Sequence, residues 1–198
     1  MLKRLLLQNC KKLYRINLIR SSRKIHKYLS LAISIQLLLW TVSGIYFSFN
    51  KIEDVRGSQY LKPKEVIETT NGIKIEAQQA LTLVVEKTHL TPKAVIEITE
   101  EESGAEYRGR SLPLYKIETI SEDSKKINVY VNPFSKEIVA VRSNQWRIWD
   151  FMWGIHIMDW DERDNIGNIF LKIFSILALL SALSGIYLFF TSSSKIKN

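Results

Sequence analysis

Three histidines occur in this 198-residue chain, His26, His89 and His156, and each imidazole is a candidate base or ligand. Near neutral pH an imidazole keeps one ring nitrogen unprotonated, which suits proton transfer or the ligation of a metal such as iron. His156 stands in an aromatic segment, where Trp146, Trp149, Trp153, His156 and Trp160 follow steps of three, four, three and four. On a helix that spacing predicts one stripe for all five. Two readings of it stay open. One is a belt helix in the headgroup region, where the apolar ring and polar N–H of tryptophan both find partners. The other is a metal ligand set in an aromatic pocket. His26 lies among Arg23, Lys24 and Lys27. It is either an interfacial histidine amid those charges or a ligand whose bound group carries acids. His89 closes Lys87-Thr88-His89 at an expected helix end, where cations complement the dipole, and reads as structural.

The run Asp159, Asp161, Glu162 and Asp164 raises the question of a cation site, but its spacing matches no calcium loop. It reads as a solvated connector, with Asp164 or Asn165 capping the helix that follows. The sequence carries no recognisable nucleophile triad, phosphate-cradling glycine loop or cysteine–histidine zinc spacing. Catalysis by this chain alone is therefore not expected. The lone Cys10 makes no disulfide framework and reads as a bystander thiol.

The elements that must position these residues are set by two uncharged runs, Tyr28–Asn50 and Ile173–Ser194, of 23 and 22 residues. At about 1.5 Å per helical residue each reaches about 33–35 Å. A bilayer's hydrocarbon core is about 30 Å thick, so both are expected to cross it as helices. The first run is too long for a signal peptide and no small-residue cleavage site follows it, so it reads as an uncleaved anchor. Residues 1–27 carry nine bases and no acid, and Lys195 and Lys197 follow the second run. All twenty acids lie in residues 51–172, which net −3 within an overall charge of +8. Basic flanks stay cytoplasmic, so both termini are expected inside and the centre outside. The charge is thus a topology signal and no nucleic-acid partner is expected; the arm suits an interfacial helix on anionic lipid.

The expected organisation is a basic cytoplasmic arm (1–27), a first transmembrane helix (28–50) and an extracytoplasmic domain (51–145). A tryptophan-rich interfacial helix and acidic connector (146–172), a second transmembrane helix (173–194) and a cytoplasmic tail (195–198) follow. In the domain, apolar spacing predicts a helix over Glu76–His89. Alternation predicts strands over Ala94–Thr99, Leu112–Ile120, Lys126–Asn132 and Lys136–Arg142. One helix on a small antiparallel sheet, an α+β fold, is expected. The spans carry small-residue stripes (Ser30, Ser34, Thr41, Gly44, Ser48, and Ser175, Ala178, Ser181, Ala182, Gly185), which let helices approach closely in lipid. They also share a tetrapeptide, Ser43-Gly44-Ile45-Tyr46 and Ser184-Gly185-Ile186-Tyr187, by duplication or by chance.

The stretches Ile75-Glu76-Ala77, Tyr115-Lys116-Ile117-Glu118 and Val129 to Ile138 resemble a PepSY domain. The segments Arg23 to Leu29 leading to Ser43-Gly44, and Trp153-Gly154-Ile155-His156 leading to Leu183 to Leu188, resemble the PepSY-associated transmembrane family of bacterial inner-membrane proteins. Together these cover about 170 of the 198 residues. The chain departs from that family in carrying Ser135-Lys136 where the strand turn usually has threonine-glycine, and in having two spans where larger relatives have four or more. Some of those relatives are linked to reduction of iron–siderophore complexes through histidine-held haem. The resemblance therefore implies haem b as the candidate cofactor, with His26 and His156 as ligands and Arg23 and Lys27 meeting the propionates. Histidines at opposite membrane faces, about 30 Å apart, cannot ligate one porphyrin together, so a homodimer or an envelope redox or iron-uptake partner is implied. The alternative is a non-redox module whose outer domain binds or restrains an envelope protein or peptidase.

Overall fold

The computed structural model describes residues 2–63 and 72–193. The expected tail 195–198 lies outside these, as do the side chains of residues 2–12, including Cys10. The chain divides into two compact units, residues 1–42 with 166–198, and residues 43–165.

Helix α1 (Leu2–Phe49) is one uninterrupted element of 48 residues. Its bases do not break it, because lysine and arginine are good helix formers and neither proline nor glycine occurs before Gly44. The expected arm and span are thus continuous, with the apolar stretch running from Ile16 to Phe49. Helix α5 (Ile169–Ser193) holds the second apolar stretch, Ile169–Thr191. Its start is capped by Asn168, whose Oδ1 accepts the Leu171 N–H at 2.9 Å. Asp164 and Asn165, the expected caps, lie further upstream. Within the first unit Leu31, Ile35, Leu38, Leu183, Ile186 and Phe189 are all more than half exposed. So much apolar surface on two helices long enough to span a bilayer is surface for lipid to cover. The protein is a membrane protein.

In the second unit, a short helix α2 (Ile52–Val55) leads towards α3 (Ala77–Lys87), which is opened by a capping interaction: Gln79 Oε1 accepts the Glu76 N–H at 3.0 Å. Four strands follow, β1 (Thr91–Ile98), β2 (Leu114–Ile120), β3 (Lys126–Asn132) and β4 (Glu137–Arg142). They form an antiparallel meander in chain order. Helix α3 lies on one face, where Ala80, Leu83 and Val84 pack with Ile117, Ile127, Val129 and Val131. Removing each of the leucine, isoleucine and valine side chains from water contributes about 1.5–3 kcal/mol. The other face is covered by the β1–β2 connection, with Tyr107 on Leu114, Tyr130 and Ala140. The architecture is the expected helix on an antiparallel sheet. The first strand begins three residues early, at Thr91, because a bulge between Pro92 and Ala94 keeps pairing past a proline that cannot donate.

Helix α4 (Asn144–Ile157) follows β4 directly, with Ser143 as N-cap accepting the Trp146 N–H at 3.3 Å. Met158 takes the left-handed conformation and stops it, and the Asp159 N–H turns back to the Gly154 carbonyl at 3.0 Å. Trp160 therefore leaves the stripe on which the spacing placed it.

Candidate functional site

Both histidines flanked by apolar helix are held by serines. In the first unit His26 Nδ1 is 2.8 Å from Ser184 Oγ. The Ser184 hydroxyl also donates to the Ser181 carbonyl at 2.8 Å, and Ser181 Oγ meets Ser30 Oγ at 2.8 Å. Gly185 makes room for the ring, since a Cβ there would stand 3.2 Å from His26 Cε1 and 3.7 Å from Nε2. Arg23 and Lys27, the expected neighbours of His26, are exposed, and neither joins an ion pair among the described residues. Only part of the small-residue stripes takes part. Ser34, Thr41 and Ser48 hydrogen-bond to carbonyls of their own helix, and the space beside Gly44 is open.

In the second unit His156 Nδ1 is 2.8 Å from Ser43 Oγ, and Ser43 is fully buried. Trp153 stacks on the imidazole, with centroids 6.2 Å apart and planes at 12°. Phe47 meets it edge-on at 5.6 Å and also contacts Trp149, which stacks on Trp153. Burial holds the His156 imidazole below its ordinary pKa, favouring the neutral form. Of the expected set, Trp149, Trp153 and His156 are thus brought together.

Trp146 sits elsewhere, on the α4 face that meets the sheet. It is buried beneath guanidinium groups, with Arg142 4.3 Å and Arg108 5.6 Å from its ring centroid. One turn on, Asp150 is almost fully buried and pairs with Arg108 and, at 2.8 Å, with Arg163. Glu106, in the β1–β2 connection, accepts from Asn128 at 2.8 Å, Tyr130 at 3.0 Å and Arg147 at 2.5 Å. Its carbonyl accepts from Arg142 Nε at 2.8 Å. Burial is the strongest single influence on the Glu106 carboxyl and pushes it up. The bonds from Arg147, Asn128 and Tyr130 together outweigh it and hold the group below its ordinary value. Burial, reinforced by Arg110 and Arg108, draws Arg142 down to about 10, still cationic at neutral pH. None of these polar partners was marked by sequence spacing. They tie α4 to the sheet.

In the acidic run, Asp159, Glu162 and Asp164 have carboxylate oxygens within 4.8 Å of one another. Asp159 Oδ2 already accepts the N–H groups of Asp164 at 3.2 Å and Asn165 at 3.0 Å, so it shapes the connector. Glu162 and Asp164 also border a cavity of about 360 Å³ with Glu101, Glu102 and Arg110. His89 donates its backbone N–H to the Tyr60 carbonyl at 3.1 Å, a structural contact.

Residues 20–197 match the model of a family described as the PepSY-associated TM region. Comparison with curated proteins and with solved structures finds no match.

Proposed function

The chain belongs to the PepSY-associated transmembrane family, and from that premise we propose that it is an accessory of an envelope redox or iron/siderophore-uptake system in the bacterial inner membrane. In this reading both termini are cytoplasmic and residues 51–145 are periplasmic. His26 and His156 are the residues that would hold haem b.

The observation that carries it is the pair of serine-held imidazoles, His26 on Ser184 and His156 on Ser43, each engaged through Nδ1. A hydrogen bond at one ring nitrogen fixes the ring's direction, as is usual for histidines that bind metals, and at His26 it turns the other nitrogen to a ligand. The donor chemistry fits a porphyrin iron, which takes neutral imidazole nitrogen. Lowering of the His156 pKa keeps it in that form. Arg23 and Lys27, one turn before and one residue after His26, are exposed cations of the kind that would receive propionates. Haem bound there would supply one-electron transfer. The chain's own residues orient the imidazoles, stack aromatic rings against His156 and place cations at His26. Bis-histidine ligation of one iron then calls for a second copy of the chain or another protein.

The second reading is a non-redox module that binds or restrains an envelope protein or peptidase. It is favoured by β1, an edge strand with Ile96 exposed, since an extended peptide adds readily to such an edge.

The visible spectrum of the detergent-purified protein supplied with haem tests the first reading. A Soret band is expected, shifted or lost in His26→Ala and in His156→Ala. No band in the parent protein ends the haem assignment. If expression is also indifferent to iron, the interaction module stands in its place.

A further inference from the structure

The repeated tetrapeptide Ser-Gly-Ile-Tyr has a structural counterpart. Its serine is Ser43 in one copy and Ser184 in the other, and each is the residue that meets a histidine, His156 and His26 respectively. We propose that the tetrapeptide is a histidine clasp used twice, and that Ser43 and Ser184 are positioning residues that set the direction of the two imidazoles. This deepens the histidine reading above and rests on it for its purpose, which at His26 is to present the second ring nitrogen to a ligand and at His156 to hold the ring's direction.

At His26 the hydrogen bonds also fix the proton. A serine hydroxyl has one proton and two lone pairs. Ser184 gives its proton to the Ser181 carbonyl, at 2.8 Å. Its 2.8 Å contact with the imidazole therefore runs the other way, with Nδ1–H donating and Ser184 Oγ accepting. A neutral imidazole carrying its proton on Nδ1 keeps its lone pair on Nε2. Free histidine prefers the opposite tautomer, so the clasp selects the form in which Nε2 is a base or ligand. Ser181, close to Ser30, backs the arrangement by supplying the carbonyl that takes the Ser184 proton. Gly185 completes it, because any side chain there would press on Cε1 at 3.2 Å. At His156 the Trp153 stack and the Phe47 edge fix the ring plane, and Ser43 fixes which nitrogen lies inward.

The test uses nitrogen-15-labelled histidine in the full chain, held in lipid nanodiscs without haem at a pH above imidazole titration. With only three histidines, single His→Gln variants assign every signal. His26 is expected to show a protonated-type Nδ1 and an unprotonated-type Nε2. Ser184→Ala is expected to exchange those two signatures, and Ser184→Thr, which restores a hydroxyl, to return them. Ser43→Ala is expected to shift the His156 ring signals and leave those of His26 in place. His26 with its proton on Nε2 in the parent protein overturns the clasp, and needs no variant to fold. Unchanged His26 signals in Ser184→Ala, or unchanged His156 signals in Ser43→Ala, overturn it equally. Because no haem is added, loss of the Soret band in the earlier experiment leaves this result standing. A normal Soret band alongside the wrong tautomer removes the clasp alone.

Discussion

Glu106 is a residue whose environment decides its chemistry. Three donors, Arg147, Asn128 and Tyr130, converge on its carboxylate and hold its pKa below the usual 4.5 even though burial opposes this. In the unfolded chain the carboxyl binds its proton near the ordinary value, and in the folded chain only at lower pH. The unfolded state therefore holds more protons between those two values. The stability contributed by Glu106 is complete above about pH 4.5 and is lost as pH falls through the depressed folded value. Urea unfolding of the detergent-solubilised chain across pH 3–7 is expected to show stability falling on the acid side. Glu106→Gln is expected to be less stable at neutral pH and to have a shallower acid limb. An unaltered acid limb would refute the assignment. This residue was not legible in the sequence. It lies in the same acid-rich connection as Glu100, Glu101 and Glu102, and nothing local sets it apart. Its partners stand 22, 24 and 41 residues away, so only the sheet register and the start of α4 assemble them. His26 and His156 were legible as residues because few histidines compete. Their serines were marked only as the first residues of the shared tetrapeptide, without a role, since each meets its histidine only when a partner helix arrives.

At the scale of elements, local periodicity served best where one period runs between clear stops. The sheet order and the α3 face follow from alternation and helical spacing. The end of α4 does not, because the tryptophan spacing continues past Ile157 and the residue that stops the helix is Met158, not a glycine. What fixes that stop is packing. Gly154 lets the connector return across the helix, and a Cβ there would stand 2.9 Å from the Asp159 carbonyl oxygen and 3.1 Å from Arg163 Cγ. The first of these is backbone and cannot rotate aside. Gly154→Ala is expected to displace the turn and the Arg163–Asp150 ion pair with it, at a cost of about 1–3 kcal/mol, as for other overpacked sites. Gly44→Ala, where no atom lies within 4 Å of the added carbon, is the matched control and is expected to be no less stable than the parent, since alanine is the better helix former by about 0.5–1 kcal/mol. Chemical unfolding of the two variants side by side checks the difference. Equal stabilities would mean that the 159–163 turn does not depend on the glycine.

At the scale of the whole molecule, two forces act on the same chain. Apolar stretches at Ile16–Phe49 and Ile169–Thr191 commit it to the bilayer, and the distribution of charge decides which side each end faces. Nine bases precede Tyr28, two follow Ser194, and every acid lies between. Moving basic flanks of this length across the membrane is unfavourable, so both ends are expected to stay in the cytoplasm. Green fluorescent protein fused after Asn198 is therefore expected to fluoresce, and alkaline phosphatase fused there to be inactive. Phosphatase fused after Gly72, beyond the first span alone, is expected to be active. The four bases Arg20, Arg23, Lys24 and Lys27 follow the helical spacing i, i+3, i+4, i+7 and are the part of the arm closest to the uncharged run. Changing all four to Gln leaves the uncharged run Tyr28–Asn50 intact while removing the nearest charges. A detectable inverted population is then expected, seen as phosphatase activity appearing at the Asn198 fusion. If the parent chain already shows that activity, the arm is not what orients the protein, and the periplasmic placement of residues 51–145 falls with it.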